Sequence, residues 1–236
     1  MCNSGLGRSS QGAILMSDVT DGKRMVTFRG EAYALYGELP LVGSAAPEFR
    51  LYSWWNATKV EITLASLLES GVPVLLSVVS SIDTPISRLQ AKNFDLAMSE
   101  YSNTAICVQI SSDLPNTINR FFAQEEIHTL IGCSDYYDRN FGQAYGLLVE
   151  EPAILTRAVL VIDKDGTIRY VEVLREITFE PNYFEAMTVL ADLVDEAQAA
   201  LMEMPDPDEV NTETLVSTEM TEADEVTSID NTGDLS

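Results

Sequence analysis

At 236 residues with 46% hydrophobic side chains, the chain is long enough for one domain with a full core. Its 37 acidic against 14 basic residues give a formal charge of −23, which excludes the basic footprint of a nucleic-acid-binding surface. No apolar run reaches the ~18 residues of a membrane span, and Gly12-Ala-Ile-Leu-Met16 is too short for a signal peptide, so a cytoplasmic protein without membrane contact is expected.

Residues 1–24 are polar and unperiodic, and are expected to form a flexible extension ahead of a domain over residues 25–203. Residues 26–39 predict a β-hairpin with Arg29-Gly30-Glu31 near its turn. Residues 49–63 predict two strands joined around Asn56-Ala57-Thr58, and residues 64–70 a short helix. The adjacent Trp54 and Trp55 read either as a partner surface or as a pair of which one ring packs on the sheet.

Residues 72–90 organise the rest. The run Val72-Pro-Val-Leu-Leu-Ser-Val-Val79 shows no alternation, as suits a strand buried on both faces, and Pro73 is tolerable at its start. Asp83 or Thr84 caps the helix that follows, and Pro85 falls near its first position. Ser87 therefore lies in the first turn, among unpaired N–H groups and at the positive end of the helix dipole. Further strands are predicted at 104–111, 128–133, 158–162 and 167–173, and helices at 114–126 and 184–202. A helical turn falls at 138–145, and Asp163-Lys-Asp-Gly166 supplies turn chemistry before the last strand. Met187, Leu190, Leu193 and Val194 give the last helix its apolar face.

Pro205-Asp-Pro-Asp208 stops that helix, and residues 204–236 are expected to be a disordered acidic tail. Residues 206–234 carry ten Asp or Glu, and no Lys or Arg occurs after Arg175. The tail reads as a solvating segment or as a docking segment for a basic partner. Without those ten acids the charge is still −13, so the folded part is acidic too, through an acid-rich proteome or a plain solvated surface. Strands alternating with helices predict an α/β or α+β sheet covered on both faces.

The segment Ser77-Val-Val-Ser-Ser-Ile-Asp-Thr-Pro-Ile-Ser-Arg-Leu-Gln90 resembles the active-site segment of bacterial thiol peroxidases, a branch of the peroxiredoxins whose pattern there is Pro-x-x-x-Thr-x-x-Cys. Matches continue at Val26-Thr-Phe-Arg-Gly30, Gly43-Ser-Ala-Ala-Pro-Glu-Phe49, Ile110-Ser-Ser-Asp-Leu-Pro115, Phe141-Gly-Gln-Ala-Tyr-Gly146, Arg157-Ala-Val-Leu-Val-Ile-Asp163 and Glu176-Ile-Thr-Phe-Glu-Pro-Asn-Tyr183. The resemblance implies an α/β, thioredoxin-like fold with a central mixed sheet flanked by helices, an N-terminal β-hairpin, and a homodimer. It places Ser87 at the peroxide-attacking cysteine, Ser80 at the motif proline and Phe122 at the resolving cysteine. Thr84 and Arg157 fall where the family orients peroxide and stabilises the thiolate.

Peroxide reduction needs an atom that is oxidised to a sulfenic acid and returned, and only sulfur does this. A cysteine at position 87 would be activated by its surroundings, whereas a serine hydroxyl there stays protonated. As an acyl-transfer nucleophile Ser87 would need a base, and the one histidine, His128, falls on a distant strand edge. No Cys or Asp clusters with His128 to bind a metal, and no cofactor is expected. The leading expectation is a non-catalytic thiol-peroxidase homologue acting as a binding or assembly module, as a homodimer or with a related thiol peroxidase. The alternative is a thiol peroxidase reducing hydroperoxides with thioredoxin, through another cysteine or because Ser87 is a laboratory substitution. Thr84 and Arg157 read either as relics, with Arg157 paired to Glu150 or Glu151, or as an anion or peroxide-sized pocket with Ser80 and Ser87. The cysteines, Cys2, Cys107 and Cys133, are widely separated and odd in number, which argues against a disulfide framework. Cys107 reads as a buried core residue, Cys2 as incidental, and Cys133, at a strand end, as the candidate for a relocated redox site.

Overall fold

The computed structural model describes residues 14–15, 18–20, 22–56 and 58–202. In chain order they form β1 (Ile14–Leu15), β2 (Asp18–Thr20), β3 (Lys23–Phe28), β4 (Glu31–Tyr36), β5 (Arg50–Trp55), β6 (Thr58–Thr63), α1 (Leu64–Leu68), β7 (Val74–Val78), α2 (Pro85–Met98), β8 (Ile106–Ser111), α3 (Pro115–Glu125), β9 (Leu130–Ser134), α4 (Asn140–Ala144), β10 (Leu148–Val149), β11 (Ala158–Ile162), β12 (Ile168–Val173) and α5 (Tyr183–Met202). The expected tail, residues 204–236, lies outside the described residues, as does most of the expected extension.

Among the described residues, eight strands form one sheet in the order β1-β12-β11-β7-β8-β9-β5-β6. Strands β7, β8 and β9 run parallel, while β11 is antiparallel to β7 and to β12, so the sheet is mixed as expected. All five residues of β7 are buried, and successive side chains enter different cores. Val74, Leu76 and Val78 join Val108, Ile110, Phe141 and Leu160 on one face. Leu75 joins Phe94, Cys107, Val159, Tyr170 and Leu190 on the other, under α2 and α5. The absence of alternation in the β7 sequence follows from this double covering.

Helix α2 begins where the sequence allowed two caps, and the structure selects Thr84. Its φ of −107° and ψ of 150° keep it extended, its side chain accepts from the Ser87 N–H, and Pro85 fills the first turn. Ser87, Gln90, Ala91, Phe94 and Met98 then line one buried face at helical spacing. Truncating a buried ring such as Phe94 to Ala would cost about 3–5 kcal/mol.

The N-terminal region departs from the expectation of a flexible extension up to residue 24. β1 pairs in parallel with β12, β2 pairs antiparallel with β3, and β3 itself starts at Lys23. Backbone pairing carries these short segments, and a polar, unperiodic side-chain pattern gives no sign of it. The hairpin turns on Arg29 and Gly30, both at positive φ (53° and 86°), the geometry of a two-residue hairpin loop. Glu176 fastens that turn to the body: its carboxylate accepts from the N–H groups of Arg29 and Gly30 and from the Thr27 hydroxyl. The Thr27 N–H donating to the Arg175 carbonyl, and the Ile177 N–H donating to the Thr27 carbonyl, complete the attachment.

Candidate functional site

The turn between β7 and α2 is pinned before any reactive group is considered. Asp113, just beyond β8, accepts from the Ile82 N–H at 2.7 Å and from the Ser81 hydroxyl at 3.0 Å. Ser111 donates to the same carboxylate at 2.8 Å. These contacts bring Thr84 to the mouth of the helix and Ser87, its third residue, underneath.

Three of the sequence-predicted residues meet there. The Thr84 hydroxyl donates to Ser87 Oγ at 2.7 Å. Arg157, immediately before β11, reaches the same oxygen through Nη2 at 3.2 Å. Its Nη1 donates to Gln90 Oε1 at 2.5 Å and its Nε to the Ile177 carbonyl at 2.7 Å. Ser87 is 0% exposed and Arg157 is 2% exposed, so the cluster is closed over. Burial lowers the Arg157 pKa to about 10, with Tyr183 and Glu180 acting in the opposite direction, which still leaves a full positive charge at neutral pH.

Arg157 is not paired with Glu150 or Glu151, as the relic reading required. Glu150 takes Lys23 at 2.7 Å, while the guanidinium is directed at two side-chain oxygens and a backbone carbonyl. Ser80 is half-buried in the turn, where its carbonyl accepts from the Ser112 N–H. Phe122 lies apart on α3, half-buried, lining a cavity of about 420 Å³ with Trp54, Asn119 and Gly132 and sharing no lining residue with the Ser87 cluster. His128 is exposed, and its N–H is held by Asp95. Among the described residues no group of His, Cys, Asp and Glu is arranged to hold a metal.

The expectation that Cys133 reaches the surface is corrected. Cys133 is 0% exposed, in register with Ile110 and part of the core on that sheet face, and burial pushes its thiol well above the ordinary range. A strand end looks open in sequence, but this one faces into the apolar core. Cys107 is also buried, and burial, followed by the Asp95 charge, raises its thiol too. Cys2 lies outside the described residues.

Sequence reasoning missed Asp113, Gln90 and the Ile177 carbonyl. A signal for Gln90 existed, because it stands three residues after Ser87 and so shares its helix face. The Ile177 carbonyl carried none, since it comes from the segment that fastens the hairpin.

What the cluster can do follows from its donors. A helix N-terminus, a hydroxyl and a guanidinium converge on one atom, an environment that stabilises negative charge. A thiol at that atom would ionise more readily, whereas the serine oxygen present acts only as a hydrogen-bonding group.

A redoxin family model matches residues 41–187. The chain is 40% identical over 169 residues to a thiol peroxidase from Streptococcus parasanguinis, covering 70% of this chain and 99% of that protein. The chain belongs to the redoxin family. A thiol peroxidase from Mycobacterium bovis is 36% identical over 169 residues, covering 70% of this chain and 97% of that one. Among solved structures, a peroxiredoxin-like protein from Aquifex aeolicus superposes with a TM-score of 0.64 at 31% identity, over 72% of this redoxin and 96% of that chain. Its fold is therefore the thioredoxin-like fold of the peroxiredoxins, and its relatives are bacterial thiol peroxidases. Residues before 41 and after 187 fall outside the family match.

Proposed function

We propose that this redoxin is a thiol-peroxidase homologue that does not reduce hydroperoxides and serves as a binding or assembly module built on the peroxidase fold. The observation that carries the reading is the oxygen of Ser87, seated under Thr84 and Arg157 where the resemblance puts the attacking sulfur. Neither described cysteine replaces it, because Cys107 and Cys133 are both buried. The closed cluster favours assembly over ligand capture, since the Ser87 oxygen already accepts from Arg157 and Thr84 out of reach of solvent. Exposed Phe179 (65%) and Phe184 (82%), on either side of the start of α5, supply apolar surface for a homodimer or for a related thiol peroxidase. Light scattering tests the assembly: a dimer that Phe184→Glu dissociates is expected, and a monomer at all concentrations would refute it.

The relatives favour a second reading, in which the chain itself reduces hydroperoxides. Their shared name, thiol peroxidase, is the most direct functional pointer, and the match spans nearly the whole of each. Such activity would have to run through a sulfur other than position 87. Hydroperoxide consumption by the purified chain with dithiothreitol or thioredoxin separates the readings: none is expected from the first, sustained turnover from the second.

A further inference from the structure

The contacts of Arg157 extend into the core in a fixed direction. A guanidinium only donates, so the Gln90 side chain must turn its oxygen toward it, which sends the Gln90 amide nitrogen the other way. That nitrogen donates to Ser77 Oγ at 2.8 Å. Having accepted, Ser77 directs its proton to Gln109 Oε1 at 2.9 Å, and the line ends at Gln109 Nε2, buried and without a partner. Ser77 and Gln109 are direct register partners on β7 and β8, and all three side chains are 0% exposed. Their neighbours on that face, Leu75, Cys107, Val159 and Tyr170, are apolar or nearly so.

An apolar side chain at 109 would fill this space without an orphaned donor, so the polar line is a cost to the core. It compensates by fixing the one charged group it reaches. We propose that Gln90, Ser77 and Gln109 form a buried column of positioning residues that holds Arg157 on the atom at position 87. The column keeps the site organised for a negatively charged atom although the resident atom is a neutral oxygen. The inference rests on reading position 87 as a thiolate position, and goes beyond it by naming the residues that aim the cation.

The test uses the full chain carrying Ser87→Cys and Cys2→Ser, with thiolate formation followed by ultraviolet absorbance against pH. Cys107 and Cys133 stay protonated through the range because they are buried. The introduced thiol is expected to titrate below the ordinary ~8.5. Adding Gln109→Met, which keeps volume but removes the acceptor, or Ser77→Ala should raise the midpoint, lowering the thiolate fraction at neutral pH by about three- to tenfold. Cys107→Ala, on the same strand face but outside the column, should leave it unmoved. If Arg157→Met raises the midpoint while Gln109→Met and Ser77→Ala do not, the column is overturned and the reading of position 87 stands. An ordinary midpoint in the starting variant overturns both.

Discussion

Thr84 performs two tasks with one hydroxyl, and separating them tests the geometry at the start of α2. Its oxygen accepts from the Ser87 N–H at 3.4 Å and its proton goes to Ser87 Oγ at 2.7 Å. Loss of a helix cap costs typically ~1 kcal/mol, and loss of a largely buried hydroxyl pair costs ~1 kcal/mol more, so Thr84→Ala should destabilise by about 2 kcal/mol. Ser87→Ala should cost about 1–3 kcal/mol, because an Arg157 N–H is left without its acceptor. In the double variant the pair is lost only once, so the combined loss should fall short of the sum by about 1 kcal/mol. Urea denaturation with an unchanged slope measures each corner of the cycle. Thr84→Ser, which keeps the hydroxyl, should recover most of the loss. Additivity within ~0.3 kcal/mol would refute a direct Thr84–Ser87 interaction.

Glu176 supplies a pH dependence. Burial raises its carboxyl pKa, but the donors from Thr178, Arg29 and Thr27 outweigh this and hold it at about 2. A depressed folded value means that its stabilisation is present above the unfolded ~4.3 and is lost as pH falls toward 2. Glu176→Gln should lower stability at pH 7 and flatten the acid limb of an unfolding profile, and an unchanged acid limb would count against the clamp. Gly132→Ala would bring a Cβ to 2.6 Å from Ile118 Cγ2, so overpacking of about 1–3 kcal/mol is expected, and the added loss should shrink in an Ile118→Ala background, which lacks that methyl. Equal losses in the presence and absence of Ile118→Ala would argue against that contact. In a Cys2→Ser protein, Cys107 and Cys133 should resist thiol reagents until denaturant is added, and rapid labelling of the folded protein would reopen Cys133 as a redox site.

The order of elements was readable because apolar runs and caps are local. Strand β11 coincides with the apolar run at 158–162, and α2 starts behind its Thr-Pro signal. The two-residue strand β10, paired to β4, was not readable, because so short a segment has no period and is defined only by its partner. At the site, resemblance brought Ser87, Thr84 and Arg157 together in advance, and the structure gathers them on one oxygen. The orientation of Arg157 was not legible: a long cation next to Glu150 and Glu151 suggests an ion pair, and only the fold reveals that it points inward at Gln90. Cys133 illustrates the opposite error, since a strand end is exposed only where nothing packs over it.

The atom at position 87 decides between a binding module and a working peroxidase. Hydroperoxide consumption with dithiothreitol as reductant, measured side by side for the natural chain and for Ser87→Cys, tests this most directly. The introduced thiolate would cleave the O–O bond, releasing the alcohol and leaving a sulfenic acid that dithiothreitol returns to the thiol. The predicted result is no turnover by the natural chain and sustained turnover by the variant. Turnover by the natural chain would contradict the account and establish the activity for which its relatives are named.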